Sequence, residues 1–358
     1  MRGLKLGDNS RIILKERKTE RKRNSNIDFA RIVACIAVVG LHTFPRECSI
    51  GTLLTYYFCG FAIPFFFMAS GFFLLNRGKV NWNYPLKKML SILRIVVLWN
   101  LVFNILKSVA KIYSTGKLYI ELLSVPKYIV KSFLQKGEMG HLWYLGALII
   151  LYLLLPCISK KSLKTKKFML FIIGAVCFTF QIISLFIKHP LQAYIIQTFR
   201  VWTWLFYFLL GGFIKRITSW IENEIRFERH LLLTILVTGI VLATHYVIGT
   251  RVILLDGRIL KAEYFYDCIL EVIWVTSFFS LLIRVKLHEQ MERLIQKIES
   301  LTLGIYIIHF PFSIIVVHFM KVNSLTKAIC FWLIVLIGSS GITWIIGKTR
   351  IGHYLTKI

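Results

Sequence analysis

The sequence predicts an all-α, polytopic membrane protein with about ten spanning helices and both termini on the cytoplasmic side. Three observations carry this. The 358 residues are 56% hydrophobic and only 17% charged, with a mean hydropathy of +0.66, whereas a soluble domain is about 45–50% apolar and about 25% charged. Apolar runs of about 18 residues or more, the length a helix needs to cross a bilayer, recur along the chain. The lysines and arginines gather in the short segments between these runs, with more than twice as many on one side as on the other. The richer side is the cytoplasmic one.

Ten spans follow in order, at 27–45, 53–75, 89–106, 141–158, 168–187, 195–214, 231–249, 264–285, 301–320 and 327–347. The organisation is a basic cytoplasmic tail over 1–26, a membrane domain over 27–347 and a cytoplasmic C-terminal tail over 348–358. The first 26 residues hold nine Lys/Arg, and no small-residue cleavage site ends the apolar run after them, so that run reads as a signal anchor. The clearest inner loop is Ser159 to Lys167, with five lysines. Between the third and fourth spans lies a long outer connection, 107–140. Its stretch Tyr119 to Gln135 alternates apolar and basic residues as a short amphipathic surface helix would; it reads equally as a wall over an outward cavity.

The net charge of +28 invites a nucleic-acid partner, but its placement at the membrane faces accounts for it, and none is expected. Seven scattered cysteines form no CxxC pair and read as small core residues, with Cys48 alone expected to be exposed. No metal-ligand spacing and no GxSxG turn are legible.

The first span carries a costly stripe. Arg31 and His42 are eleven residues apart, about three helical turns, so they share a face about 16 Å apart along the axis, and Asp28 joins them. Ionisable groups on a membrane helix need a reason. The second span ends Phe65-Phe66-Phe67-Met68-Ala69-Ser70-Gly71-Phe72-Phe73-Leu74, then Arg77. Ser70-Gly71 allows close helix approach, and Arg77 reads either as an inner anchor or as a phosphate fork. His141 opens the fourth span at its outer rim, either functional or merely solvated, ahead of Leu142-Trp143-Tyr144-Leu145. Asp267 and Glu271, one turn apart on the eighth span, would orient a histidine or pair with Arg200. In Ser300–His309, His309 lies mid-span, and Pro311 frees a backbone carbonyl near Ile307 that a buried polar group or water must satisfy.

Together these stretches resemble acyltransferase family 3, the multispan bacterial membrane O-acyltransferases. The resemblance rests on Arg31-x10-His42, the 65–74 motif with Arg77, Leu142–Leu145 running to Pro156, and Ser300–His309, in the family's order over nearly the whole chain. It implies transfer of an acyl group, usually acetyl, from cytoplasmic acetyl-CoA or another acyl-CoA to a hydroxyl of an envelope polysaccharide or lipid-linked sugar precursor at the cell membrane. His42, Glu271 and His309 are then the expected catalytic residues, with His42 as base or transient acyl carrier. Arg31, Arg77, Lys87 and Lys88 are the expected donor-binding residues. Surrounding lipid is the other expected contact, and no metal is expected. No esterase-like C-terminal domain of the kind some relatives carry is expected, so an acceptor-specific step would fall to the membrane domain or a partner. The chain is also too short for the amino-acid racemase domain fused to others.

Two other classes fit the same pattern of spans. A transporter or flippase of an anionic glycolipid would use buried arginines, although no pair of related halves with matched broken helices is visible. A glycan polymerase would use the long 107–140 loop.

Overall fold

A computed structural model describes residues 24–115 and 124–356. The expected N-terminal tail as far as residue 23, positions 119–123 of the expected surface helix and the last two residues of the C-terminal tail lie outside the described residues. Helix α1 is Ser25–Thr43. The Asn24 side chain caps it by accepting the Ile27 N–H at 3.2 Å, and Asp28 sits in the first turn, where the helix dipole favours a carboxylate. The helix stops at Phe44, just before Pro45, because a proline disfavours α geometry in the residue before it.

Helix α2 (Ile50–Phe58) starts on a Ser49/Thr52 capping box and runs through a 3-10 turn at Cys59–Phe61 into α3 (Ala62–Leu75). Then come α4 (Asn83–Thr115), α5 (Val125–Phe133), α6 (Trp143–Ser159), α7 (Leu163–Phe186), α8 (Val201–Glu224) and α9 (Phe227–Val247). A π turn, Ile248–Val252, closes α9. The chain finishes with α10 (Ile269–Arg284), α11 (Glu289–Glu299), α12 (Thr302–Val317), α13 (Leu325–Gly347) and α14 (Arg350–Thr356). Among the described residues the only β pairing is one isolated bridge, Leu255 with Arg258.

The described residues form an all-helical fold, and every expected span falls largely on helix. Among the described residues, seven helices are long and apolar enough to cross a membrane, and α11 with α12, bent by 49°, make an eighth if taken as one span. Two expected spans fall short for physical reasons. Helix α8 starts at Val201, because residues 191–199 go into two 3-10 turns, and Lys215 and Arg216 interrupt its apolar stretch. Helix α10 has only 16 residues.

Three elements make the centre. The apolar windows of α1, of α2 with α3, and of the Gly140–Ser159 segment are 61%, 78% and 72% buried, against 17–33% for α4, α7, α9 and α13. The peripheral helices turn apolar faces outward, as a lipid-facing ring does. Cys157 on the central α6 and Cys330 on the peripheral α13 are exposed, whereas Cys48 is half-buried, which corrects the expectation for the cysteines.

Close packing uses the small residues of α3. A Cβ at Gly71 would collide with the Phe208 carbonyl, and one at Gly211 with the Met68 carbonyl, so α3 and α8 cross backbone to backbone. Helix α1 is tied at its start, where Asn26 donates to the Ile283 and Val285 carbonyls at 2.9 and 2.6 Å and so satisfies the C-terminal end of α10. The carboxylates before and in α10 divide their partners. Asp267 accepts from Gln192 (2.9 Å), Trp202 (3.3 Å) and Thr203 (2.7 Å), so it does not take Arg200, which pairs with Glu263 at 3.5 Å.

Candidate active site

Helix α1 serves two separate cavities. The first, about 550 Å³, opens around its N-terminal half and is lined by Asp28, Arg31, Ser70, Arg77, Tyr84, Lys88, Tyr144, Glu299 and Tyr306, among others. Arg31 is not idle there, because its guanidinium bonds the Glu299 carboxylate. A guanidinium has five N–H donors, so others remain for a ligand. The Arg77 guanidinium lies 4.6 Å over the Tyr84 ring, and the Lys88 ammonium is 6.0 Å from the same ring. The Arg77 Nε is buried and makes no hydrogen bond with the described residues. Cations gathered around one ring, with an unsatisfied guanidinium N–H, suit an anionic ligand with several acceptor oxygens.

The second cavity, about 490 Å³, lies at the C-terminal end of α1 and is lined by His42, Arg46, Glu47, Tyr56, Gln135, Trp143, Gln197, Lys261, Glu263 and Tyr266, among others. His42 is exposed into it. Gln135, just past α5, gives the 107–140 connection a place in its wall.

Between the cavities stands a cluster of rings. His42 and His309 have centroids 5.1 Å apart, His309 and His141 5.5 Å, and Phe310 packs against His42 at 5.0 Å and His141 at 5.2 Å. Tyr306, which lines the first cavity, is 6.1 Å from His309 and 5.6 Å from His141. A short relay of side chains therefore joins the cavities: Tyr306, His309, His42.

The proline in α12 explains how the cluster is held. Pro311 has no N–H for the carbonyl of Ile307 four residues back. The His141 Nε2 supplies that hydrogen bond at 3.0 Å, and the Tyr306 hydroxyl donates to the His141 carbonyl in return. A carbonyl only accepts, so His141 carries its proton on Nε2. The same logic puts the His309 proton on Nδ1, which donates to the Ile305 carbonyl at 3.1 Å. That leaves the His309 Nε2 lone pair buried without a partner among the described residues, beside His42. No group of three or more His, Cys, Asp or Glu among the described residues has the geometry to hold a metal.

A family model described as an acyltransferase domain matches residues 24–348. The chain belongs to acyltransferase family 3. Residues 24–348 form an acyltransferase domain of this family, and the described residues include seven helices long and apolar enough to cross a membrane. The chain is also 33% identical over 135 residues to an amino-acid racemase of Enterococcus faecalis, covering 36% of this chain and 18% of that protein. A serine/alanine racemase of Enterococcus gallinarum is 30% identical over 146 residues, covering 37% of this chain and 19% of that one. The chain thus spans about a fifth of the length of the curated relatives it matches. No solved structure matches it significantly.

The residues expected for the acyltransferase site from sequence divide into three groups. Arg31, Arg77 and Lys88 come together in the first cavity, and His42 meets His309 beside the second. Lys87 is exposed and does not line the Arg31 cavity, because one residue along a helix turns the side chain by about 100° away from Lys88. Glu271 lines neither cavity: it is buried against His245, 3.6 Å away, whose ring stacks on Phe265. It does face a histidine, as expected, but not one of the cluster. Sequence reading missed the Glu299 partner of Arg31, the Tyr306 hydroxyl and the inward position of His141. Glu299 and Tyr306 had a signal in their nearness to the Ser300–His309 motif, and His141 had one in the carbonyl that Pro311 leaves open.

Proposed function

We propose that this acyltransferase takes an acyl group, acetyl being the simplest, from an acyl-CoA that enters the Arg31 cavity from the cytoplasm. The acceptor is a hydroxyl of an envelope glycan or lipid-linked sugar held in the His42 cavity. One observation carries the reading: a single helix presents a guanidinium to one cavity and an imidazole to another, and His309 bridges His42 to Tyr306 of the first. The side richer in Lys and Arg is the side on which Arg31 begins the helix, which supports donor entry from the cytoplasm.

The donor's phosphates would lie against Arg77, Lys88 and the free N–H groups of Arg31. Its thioester arm would follow the Tyr306 and His309 face, and about 16 Å of helix from Arg31 to His42 suits an extended pantetheine. At the far end the acceptor oxygen attacks the thioester carbonyl while His42 removes its proton. The C–S bond then breaks, and the thiolate takes a proton back from the imidazolium. The unpartnered His309 Nε2 would accept a hydrogen bond from an N–H on His42, so His309 acts as a positioning residue. A covalent variant has His42 attack first and pass the acyl group on from its ring.

The test is His42→Ala in the full chain reconstituted in lipid nanodiscs, following release of free CoA and transfer of labelled acyl. Transfer is expected to fall by about 100-fold or more. A normally inserted variant with full transfer overturns the reading. In the parent protein, an acid-quenched acyl adduct on His42 before acceptor is added marks the covalent route, and transfer with no adduct marks the direct one.

A further inference from the structure

The strap between the π turn Ile248–Val252 and helix α10 closes the His42 cavity, and its backbone is held on both sides of Lys261. Arg46 donates to the Ile259 carbonyl. The Leu260 N–H reaches the Gly249 carbonyl at 3.0 Å, and the Leu260 carbonyl accepts from the Tyr57 hydroxyl at 2.9 Å. The Ala262 N–H donates to the Tyr56 hydroxyl at 3.2 Å, and the Glu263 carboxylate is held by Arg200 and Gln197. Lys261 sits between these anchors with its side chain exposed to the cavity it shares with His42. A site works best when rigid elements hold its parts, and here a fixed backbone presents one movable ammonium.

Two of the other charged groups of the cavity already have partners. Arg46 donates to the Ile259 carbonyl and lies over the Tyr56 ring, and Glu263 is held by Arg200 and Gln197. Glu47 is exposed. No ion pair or hydrogen bond joins the Lys261 ammonium to another described residue. Trp143, Tyr56 and Tyr266 also line the cavity, and such an aromatic lining suits the apolar side of a sugar.

We propose that Lys261 selects the acceptor by binding an anionic group on it, a sugar carboxylate or a sugar phosphate, and so brings the neighbouring hydroxyl under His42. This rests on the reading that the acceptor occupies the His42 cavity. A charge-assisted contact in a partly enclosed site is worth about tenfold to a hundredfold in affinity. The acceptor is therefore an acidic or phosphorylated sugar rather than a neutral one.

The experiment uses the full chain in nanodiscs with acyl-CoA and three acceptors: glucuronate, glucose 6-phosphate and glucose. Wild type is expected to use at least one charged sugar about tenfold or more better than glucose in kcat/KM, through a lower KM, and the better of the two names the anionic group. Lys261→Gln is expected to bring that charged-to-neutral ratio to about one, and Lys261→Arg to restore most of it. Equal use of charged and neutral sugars by wild type overturns the assignment. So does a Lys261→Gln variant that loses kcat alike on all three, because the lysine would then act on the reacting atoms. Wild type that hydrolyses the donor yet transfers to none of the three overturns the assignment while leaving the acyltransfer reading standing. Wild type that neither hydrolyses nor transfers removes both.

Discussion

The bond between His141 and the Ile307 carbonyl allows a test that separates support from chemistry. Replacing His141 by Phe keeps an aromatic ring against Tyr306 and Phe310 but removes the Nε2 donor. The Ile307 carbonyl, on a fully buried residue, then has no partner from the helix either, because the residue four along is Pro311. Leaving a buried acceptor unsatisfied costs about 1–3 kcal/mol. Pro311→Ala restores the missing backbone N–H, so in that background His141→Phe should cost about 1 kcal/mol less than alone. The four proteins of this double-mutant cycle are unfolded from mixed micelles by SDS titration, and CoA release is measured on each while folded. Equal destabilisation by His141→Phe in both backgrounds would refute the proline-gap account. Activity lost with His141→Phe and returned by Pro311→Ala marks the histidine as a support for α12. Activity that stays lost while stability returns puts His141 among the reacting groups.

Two further outcomes follow from packing and burial. Gly71→Ala drives a methyl into the Phe208 carbonyl, so α3 and α8 must separate; overpacking of this kind costs about 1–3 kcal/mol, and the same SDS titration should show at least the lower figure. Glu271→Leu or His245→Phe alone leaves the other member of a buried 3.6 Å contact facing an apolar side chain and should lower stability by about 1–3 kcal/mol. The double change should lose less than the sum, since apolar replacement of a whole buried pair is often neutral. Acyl transfer per folded molecule should survive in the double variant; a loss of 100-fold or more there would return Glu271 to the reacting groups.

How far the sequence reached is visible residue by residue. Period and apolar length placed α1 and the Arg31–His42 axis, because both depend only on helix geometry. Gly71 announced a close crossing because a missing side chain has one structural use in a tightly packed helix pair. Pro311 announced an open carbonyl at Ile307, and the structure fills it with His141. Partnerships between distant segments were not legible: Arg31 with Glu299, separated by 268 positions, Glu271 with His245, and Asp267 with Gln192 and Thr203 rather than Arg200. Such choices are made by which helices become neighbours, and no periodicity within one helix encodes that. Lys87 and Lys88 are alike as sequence and differ only in which way the helix turns them.

The bent span gives the axis a second rail. Arg31 on α1 bonds Glu299 at the end of α11, and His42 on α1 touches His309 on α12. Eleven residues separate Arg31 from His42 on α1, about 16 Å of helix, and ten separate Glu299 from His309 across the bend. The two rails therefore run in the same direction and are joined at both ends, by an ion pair at one and a ring contact at the other. Two helices crossing in the same sense need an odd number of crossings between them, and the seven spans expected between the first and the ninth have that parity. The 49° bend falls between the two joints, after Glu299 and before Tyr306 and His309. With Glu299 tied to Arg31 and Tyr306 tied to the His141 carbonyl, the bend cannot change without disturbing the wall of the first cavity or the seat of His309. The separation between the guanidinium end and the imidazole end is thus set by α1 and the bent α11–α12 span, which is what the proposed transfer from a donor on one side to an acceptor on the other would require.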